Sequence, residues 1–305
     1  MMAEETLPRA NGAGTAQLVI GKAKGAPAWS LAAIAMLSVQ IGSALSTGLF
    51  AQVGTAGTAW LRLTAGALMF LAYRRPRLRG RQPSELGAAL ALGAATGAMS
   101  VCFLAAIDRV PLGTAVAIEY MGPFAVAVGG TRTLRGFAWP LLALAGVLAL
   151  TEPWTGSVDP LGILWAAGAA AGWALYILLS AKVGGQFEGI DGLSITIPIA
   201  AAASAIVGLP EAVGHLSGPV MLAAVGIALL TPVLPYSLEM LALRRLTTTA
   251  FGTLMALEPA IGMAVGIIVL AQAATALQVA GIGLVVIAGI AVPRQDARAR
   301  LIDRL

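Results

Sequence analysis

Residues 86–107 read LGAALALGAATGAMSVCFLAAI, twenty-two residues without a charge, bounded by Glu85 on one side and Asp108-Arg109 on the other. As an α-helix such a run rises about 33 Å, the thickness of a bilayer's hydrocarbon core. The rest of the chain repeats the pattern. Of 305 residues, 58% are strongly apolar and 11% charged, against roughly 25% charged in an ordinary soluble domain. A water-soluble globule of this length has too little interior to hide so much apolar surface. Glycine, at 37 residues, is abundant, as expected where membrane helices pack closely. Cys102 is the single cysteine, which excludes a disulfide scaffold. The composition defines a multi-pass membrane protein.

Working outward from 86–107, ten apolar stretches follow one another at approximately 29–50, 56–73, 86–107, 112–130, 137–151, 160–181, 194–213, 219–243, 248–270 and 275–292. With the N-terminus in the cytoplasm, seventeen of the nineteen basic residues fall on the inner side, in particular Arg74–Arg81, Arg132, Arg135, Lys182, Arg244, Arg245 and the C-terminal arginines. Arg109 is the one outside and Arg62 lies within a span. This asymmetry follows the positive-inside rule and places both termini in the cytoplasm. The net charge of +5 therefore reports topology, not nucleic-acid binding, with contact between the Arg74–Arg81 loop and anionic lipid as the lesser alternative. Residues 1–27, with Glu4 and Glu5 and no apolar core, read as a cytoplasmic tail without a cleavable signal peptide, and 294–305 as a basic cytoplasmic tail.

Sliding the chain by 136 residues lays Ala106-Ile107-Asp108-Arg109-Val110 over Ala242-Leu243-Arg244-Arg245-Leu246 and Pro123 over Pro259. Five helices per copy, an odd number, give the two copies opposite orientation. The expected architecture is all-α, with ten transmembrane helices as two inverted five-helix repeats at 28–151 and 160–293 and a substrate site between them near the midplane.

The charges left inside spans are Arg62, Glu119, Glu239 and Glu258. Each costs roughly 2.5–3.5 kcal/mol to insert, so each is expected to face protein or water. Arg62 and Glu119 share a depth of about 9–10 Å from the outer side, and Glu258 lies about 15 Å deep. Arg62 and Glu119 either pair with each other or serve a ligand. Glu258 either exchanges protons or is held neutral against a carbonyl freed by Pro259. Glu239, near the inner interface, reads as a gate or anchor. Gln40, Ser43 and Thr47 form a polar stripe on one face of the first helix, and the repeat offset sets Tyr176 opposite Gln40. Tyr176, Tyr120 and Trp173 are aromatic candidates for a cavity wall, with ordinary packing as the alternative. Pro232 and Pro235, ahead of Tyr236 and Glu239, either make a hinge or a static kink. One His and one Cys cannot build a zinc cluster, and no phosphate-binding glycine loop occurs in a cytoplasmic segment. No enzyme activity, cofactor or metal is expected.

Three stretches, Ser38–Phe50 (SVQIGSALSTGLF), Val110–Val128 (VPLGTAVAIEYMGPFAVAV) and Pro235–Gly262 (PYSLEMLALRRLTTTAFGTLMALEPAIG), resemble the threonine/homoserine exporter group of the drug/metabolite transporter superfamily, with its paired EamA units. The resemblance runs from about residue 28 to 293. It implies an inner-membrane exporter of small neutral amino acids driven by the proton gradient, with Glu258-Pro259 matching the family's Glu-Pro in the fourth helix of a unit. The first half departs from that pattern, having Gly122-Pro123 with Glu119 one turn earlier. The expected site combines Gln40, Ser43, Arg62, Glu119, Tyr120, Tyr176 and Glu258 at the substrate, Glu258 and Glu119 in proton coupling, and Pro232, Pro235, Tyr236 and Glu239 at a gate. The expected partners are the amino acid, protons and lipid, in a monomer or a homodimer. The competing reading is a drug or cationic-metabolite exporter of the same superfamily, in which the carboxylates serve a cation and Arg62 is structural.

Overall fold

The computed structural model describes residues 27–73, 82–129, 138–152, 159–183, 190–243, 245–246, 251 and 254–302. Every regular element among them is helical: α1 Ala28–Tyr73, α2 Pro83–Ile107, α3 Leu112–Glu119, α4 Met121–Gly129, α5 Ala138–Thr151, α6 Pro160–Val183, α7 Ile190–Ala212, α8 Gly218–Ala228, a π-turn at Leu229–Val233, α9 Leu234–Leu243, α10 Glu258–Leu270 and α11 Ala276–Ile302. Five stretches (Ala28–Tyr73, Pro83–Ile107, Pro160–Leu179, Gly192–Ala212 and Gly218–Glu239) are long and apolar enough to cross a membrane, and shorter apolar helices fill the gaps between them.

The surface differs from that of a water-soluble domain. Large aliphatic side chains point outward, with Ile268 80% and Ile206 78% exposed, while Gln40, Ser43, Ser46 and Thr58 are at most 1% exposed. An apolar surface is what a lipid solvent selects, and the interior combines apolar clusters with a buried polar set. Small residues let the helices approach. Gly146 of α5 and Gly281 of α11 each set the position of a Cβ 2.7 Å from the other's carbonyl oxygen, so this crossing admits no side chain on either helix.

The predicted loop at 51–55 is instead part of α1, which runs on except at Gly54. There φ is 70° and ψ 173°, a conformation essentially restricted to glycine. The break leaves the next turn's N–H groups without helical partners, and Glu211 at the end of α7 accepts from Ala56 N at 2.9 Å and Gly57 N at 3.1 Å. A second departure is at the C-terminus, where α11 continues to Ile302, through most of the expected tail. The composition of that segment, with Arg294, Asp296, Arg298 and Arg300, is not that of a span. The expected fourth and ninth helices are also interrupted, at Tyr120 and at Ala256-Leu257. The basic segments Arg74–Arg81, Arg132, Arg135 and Arg244 and the tail at 1–26 lie outside the described residues.

The outer ends named by the expected topology are joined by side chains. Arg109 Nη1 meets Asp159 Oδ2 at 2.8 Å, and Asp159 Oδ1 accepts from Leu161 N at 2.9 Å at the start of α6. The Arg109 guanidinium holds the Asp159 carboxyl below its ordinary range, with the Leu161 N–H assisting. Thr275 and Gln278 form a reciprocal capping box at the start of α11, and Thr275 Oγ1 donates to Glu152 at 2.6 Å.

Gly54→Ala is expected to cost about 1–3 kcal/mol, because a Cβ there would be strained in φ and would meet Glu211 Oε2. Gly48→Ala has open space around the same atom and is expected to leave the protein as stable or more so. Melting temperatures of the two variants in detergent check this contrast.

Candidate functional site

The polar interior converges on a cavity of about 170 Å³ between α1, α2, α3, α6, the π-turn, α9 and α10. Each wall follows from local periodicity. Gln40 and Ser43 lie one turn apart on α1, Thr96 and Ser100 one turn apart on α2, Trp173 and Tyr176 one turn apart on α6, and Tyr236 and Glu239 one turn apart on α9. Glu119 and Glu258 enter from the last residue of α3 and the first residue of α10.

The two carboxyl-bearing walls are built around interrupted helices. Tyr120 stands between α3 and α4, and Ala256-Leu257 precede α10. Proline explains both. Pro123 and Pro259 have no N–H to give the carbonyls four residues back, those of Glu119 and Met255. Inside a bilayer a carbonyl so freed must find another donor. For Met255 the donor is the Tyr120 hydroxyl, at 2.6 Å. In the π-turn the Leu234 N–H returns to the Leu229 carbonyl, and the residue that would continue the pattern to Leu230 is Pro235. Ser38 Oγ donates to the Leu230 carbonyl instead, at 2.7 Å.

Glu258, 7% exposed, is held from two sides. Gln40 Nε2 donates to its Oε1 at 3.1 Å, and the Tyr120 hydroxyl lies 2.6 Å from its Oε2. The Tyr120 ring stands edge-on to Trp173, with centroids 4.7 Å apart and planes at 85°. Arg62, also 7% exposed, donates from Nη2 to Ser100 Oγ. Its Nη1 is buried with no partner among the described residues. No ion pair joins Arg62 to Glu119, although Glu119 is within electrostatic reach of both Arg62 and Glu258. Of the two readings of Arg62, the geometry leaves half of a guanidinium fork available to a ligand.

The sequence-based candidates Gln40, Ser43, Arg62, Glu119, Tyr176, Pro232, Pro235, Tyr236, Glu239 and Glu258 all line this cavity. Tyr120 does not. It stands behind Glu258, where its hydroxyl is taken up by Glu258 and the Met255 carbonyl. Glu239, expected as a gate or anchor near the inner interface, lies on the cavity wall one turn beyond Tyr236. Thr96, Ser100 and Thr231 were not anticipated. The first two are separated by one helical turn in a segment otherwise made of small apolar residues, a pattern of the same kind as the stripe on α1.

A cavity with one half-free cation, three carboxyls and several hydroxyls, set among apolar helices, fits a membrane transporter. Comparison with known proteins agrees. The EamA-like transporter family model matches residues 160–292. The threonine/homoserine exporter RhtA of Escherichia coli K12 is 38% identical over 268 residues, 84% of this chain and 88% of that protein. Its counterpart in Salmonella typhimurium LT2 is 37% identical over the same span. A solved crystal structure shares the fold, with a TM-score of 0.58 and 20% identity over 88% of this chain and 98% of that one. The chain belongs to the EamA-like transporters, in the group of the threonine/homoserine exporters.

If Arg62 serves a ligand, then Arg62→Met combined with Glu119→Leu is expected to stay inactive in transport while folding normally, since neither partner is orphaned by loss of the other. Recovery of flux in the double variant, measured beside both single variants, would instead make the two residues a structural pair.

Proposed function

We propose that this protein exports small neutral amino acids of the threonine and homoserine type across the inner membrane, in exchange for protons. The observation that carries the reading is the placement of an unpartnered Arg62 Nη1 and the Glu258 carboxyl on one small cavity. A zwitterion needs a cation for its carboxylate and an anion for its ammonium, and these two groups supply them. The hydroxyls of Ser43, Thr96 and Thr231 on the same walls suit a short side chain bearing its own hydroxyl. A proton and an ammonium compete for one carboxyl, so release of either favours binding of the other. That competition is the coupling.

The architecture in this reading is ten passages in two inverted units, about 28–151 and 160–293. Pairing of the elements supports it. The segment after Gly54 lies on α7, α3 on α10 and α5 on α11, while α2 packs on α6 and α1 on α9. A two-fold axis in the membrane plane that exchanges the units maps the first three pairs onto themselves and the last two onto each other. The breaks at Tyr120 and Ala256-Leu257 also coincide under the 136-residue offset. Glu119 shares the coupling role with Glu258, and the π-turn with Pro232, Pro235, Tyr236 and Glu239 forms the moving wall. Both termini face the cytoplasm.

In proteoliposomes with an imposed pH gradient, Glu258→Gln is expected to abolish uphill homoserine export, because the amide keeps size and hydrogen bonding and cannot titrate. Wild-type accumulation by the Gln variant, with unchanged pH dependence, would remove Glu258 from the coupling step. Three carboxyls against one arginine also suit a cationic solute, so cells expressing the chain should be challenged with homoserine and with cationic inhibitors in parallel. Resistance to homoserine supports the present reading, and resistance confined to cations replaces it. Reporter fusions after Arg81 and Arg304 are expected to be cytoplasmic, and one within 153–158 outside.

A further inference from the structure

The Tyr120 hydroxyl has one hydrogen and two close acceptors, the Met255 carbonyl and Glu258 Oε2, each at 2.6 Å. It cannot donate to both. A carbonyl only accepts, so when Tyr120 donates to Met255, the short contact to Glu258 is a bond only if Glu258 carries a proton and donates it to the tyrosine oxygen. When Glu258 loses that proton, its oxygen becomes acceptor-only and draws the hydroxyl hydrogen to itself. The Met255 carbonyl is then left without its donor, and Pro259 cannot supply one from the helix.

We propose that Tyr120 is a hydrogen-bond switch that reads the protonation of Glu258, and that the Met255 carbonyl it vacates becomes an acceptor for the ammonium group of the substrate. This rests on the proton-coupled export proposed above and goes further by assigning the ammonium site and a positioning residue. In the proton-loaded, substrate-free carrier, Glu258 donates to Tyr120 and Tyr120 donates to Met255, so the carboxyl, the hydroxyl and the freed carbonyl are all satisfied. On the inner side the Glu258 O–H bond breaks and the proton leaves to water. An amino acid then brings its ammonium hydrogens to the carboxylate and to the Met255 carbonyl, with no bond of the substrate broken. On the outer side the amino acid departs, a proton bonds to Oε2, and Tyr120 returns to Met255. The tyrosine acts through these groups and does not itself line the cavity.

The packing suits such a switch. Trp173 holds the ring edge-on, so the hydroxyl reorients by turning its O–H bond while the ring stays in place. Gln40 fixes the other carboxyl oxygen. The remaining ionisable groups around Glu258 are Arg62 of α1, Glu119 of α3, Tyr176 of α6, and Tyr236 and Glu239 of α9. None of these is hydrogen-bonded to Glu258 among the described residues, which leaves Tyr120 as its one titratable partner.

Two variants test the switch with radiolabelled homoserine in proteoliposomes. Tyr120→Phe keeps the ring and removes the hydroxyl, so the proton-loaded empty carrier has an orphaned carbonyl while the substrate-loaded one does not. Net export driven by a pH gradient is expected to fall at least tenfold more than homoserine–homoserine exchange. Equal loss of both, or loss of neither, overturns the proposal. Pro259→Ala mends the helix and so does not put folding at risk; by returning an N–H to Met255 it is expected to raise the KM for homoserine severalfold. An unchanged KM overturns the ammonium site. Wild-type protein that exchanges no homoserine refutes the export reading itself and this inference with it, whereas wild-type exchange with an unaltered flux ratio in Tyr120→Phe refutes the switch alone.

Discussion

In a bilayer the backbone has no water to turn to, so every carbonyl that loses its helical partner must be met by another part of the protein. This constraint organises the interior of the molecule. Pro259 frees the Met255 carbonyl, which Tyr120 meets, and Pro235 interrupts the π-turn at Leu230, which Ser38 meets. The Gly54 break exposes two N–H groups, which Glu211 meets. In each case the partner comes from an element distant in sequence. The irregular turns at Met255 and Leu230 stand at the cavity, and their hydrogen bonds to Tyr120 and Ser38 tie neighbouring helices together.

The same turns put polar chemistry where lipid cannot reach it. Glu119 closes α3 and Glu258 opens α10, and both face the cavity at helix interruptions. Isolated in hydrocarbon, either carboxyl would be costly. Here both border a cavity of about 170 Å³ with Arg62 and Gln40, and Glu258 is hydrogen-bonded to Gln40 and Tyr120. Arg62 is satisfied on one nitrogen and free on the other. A permanent ion pair with Glu119 would have spent both charges on stability. Their separation keeps each available.

Membership of the chain among the EamA-like transporters, and its likeness to exporters of threonine and homoserine, fit this chemistry. The solved relative at 20% identity extends the fold across much greater sequence distance. Within this chain, the approach of Gly146 and Gly281 leaves no room for a side chain on either helix.

The sequence by itself determined the solvent of this protein and most of its helices, because a 20-residue apolar run has one stable state in lipid. It also pointed to the charged residues of the cavity, because four charges within spans have few places to go. It did not reveal that Tyr120 stands behind Glu258, that Arg62 leans on Ser100 and not on Glu119, or that Glu211 caps the break at Gly54. Those are contacts between residues 38 to 155 positions apart, and no periodicity encodes them. The tertiary structure decided them because groups freed at a helix break, such as the Met255 carbonyl and the Ala56 and Gly57 N–H groups, are met by side chains from helices distant in sequence.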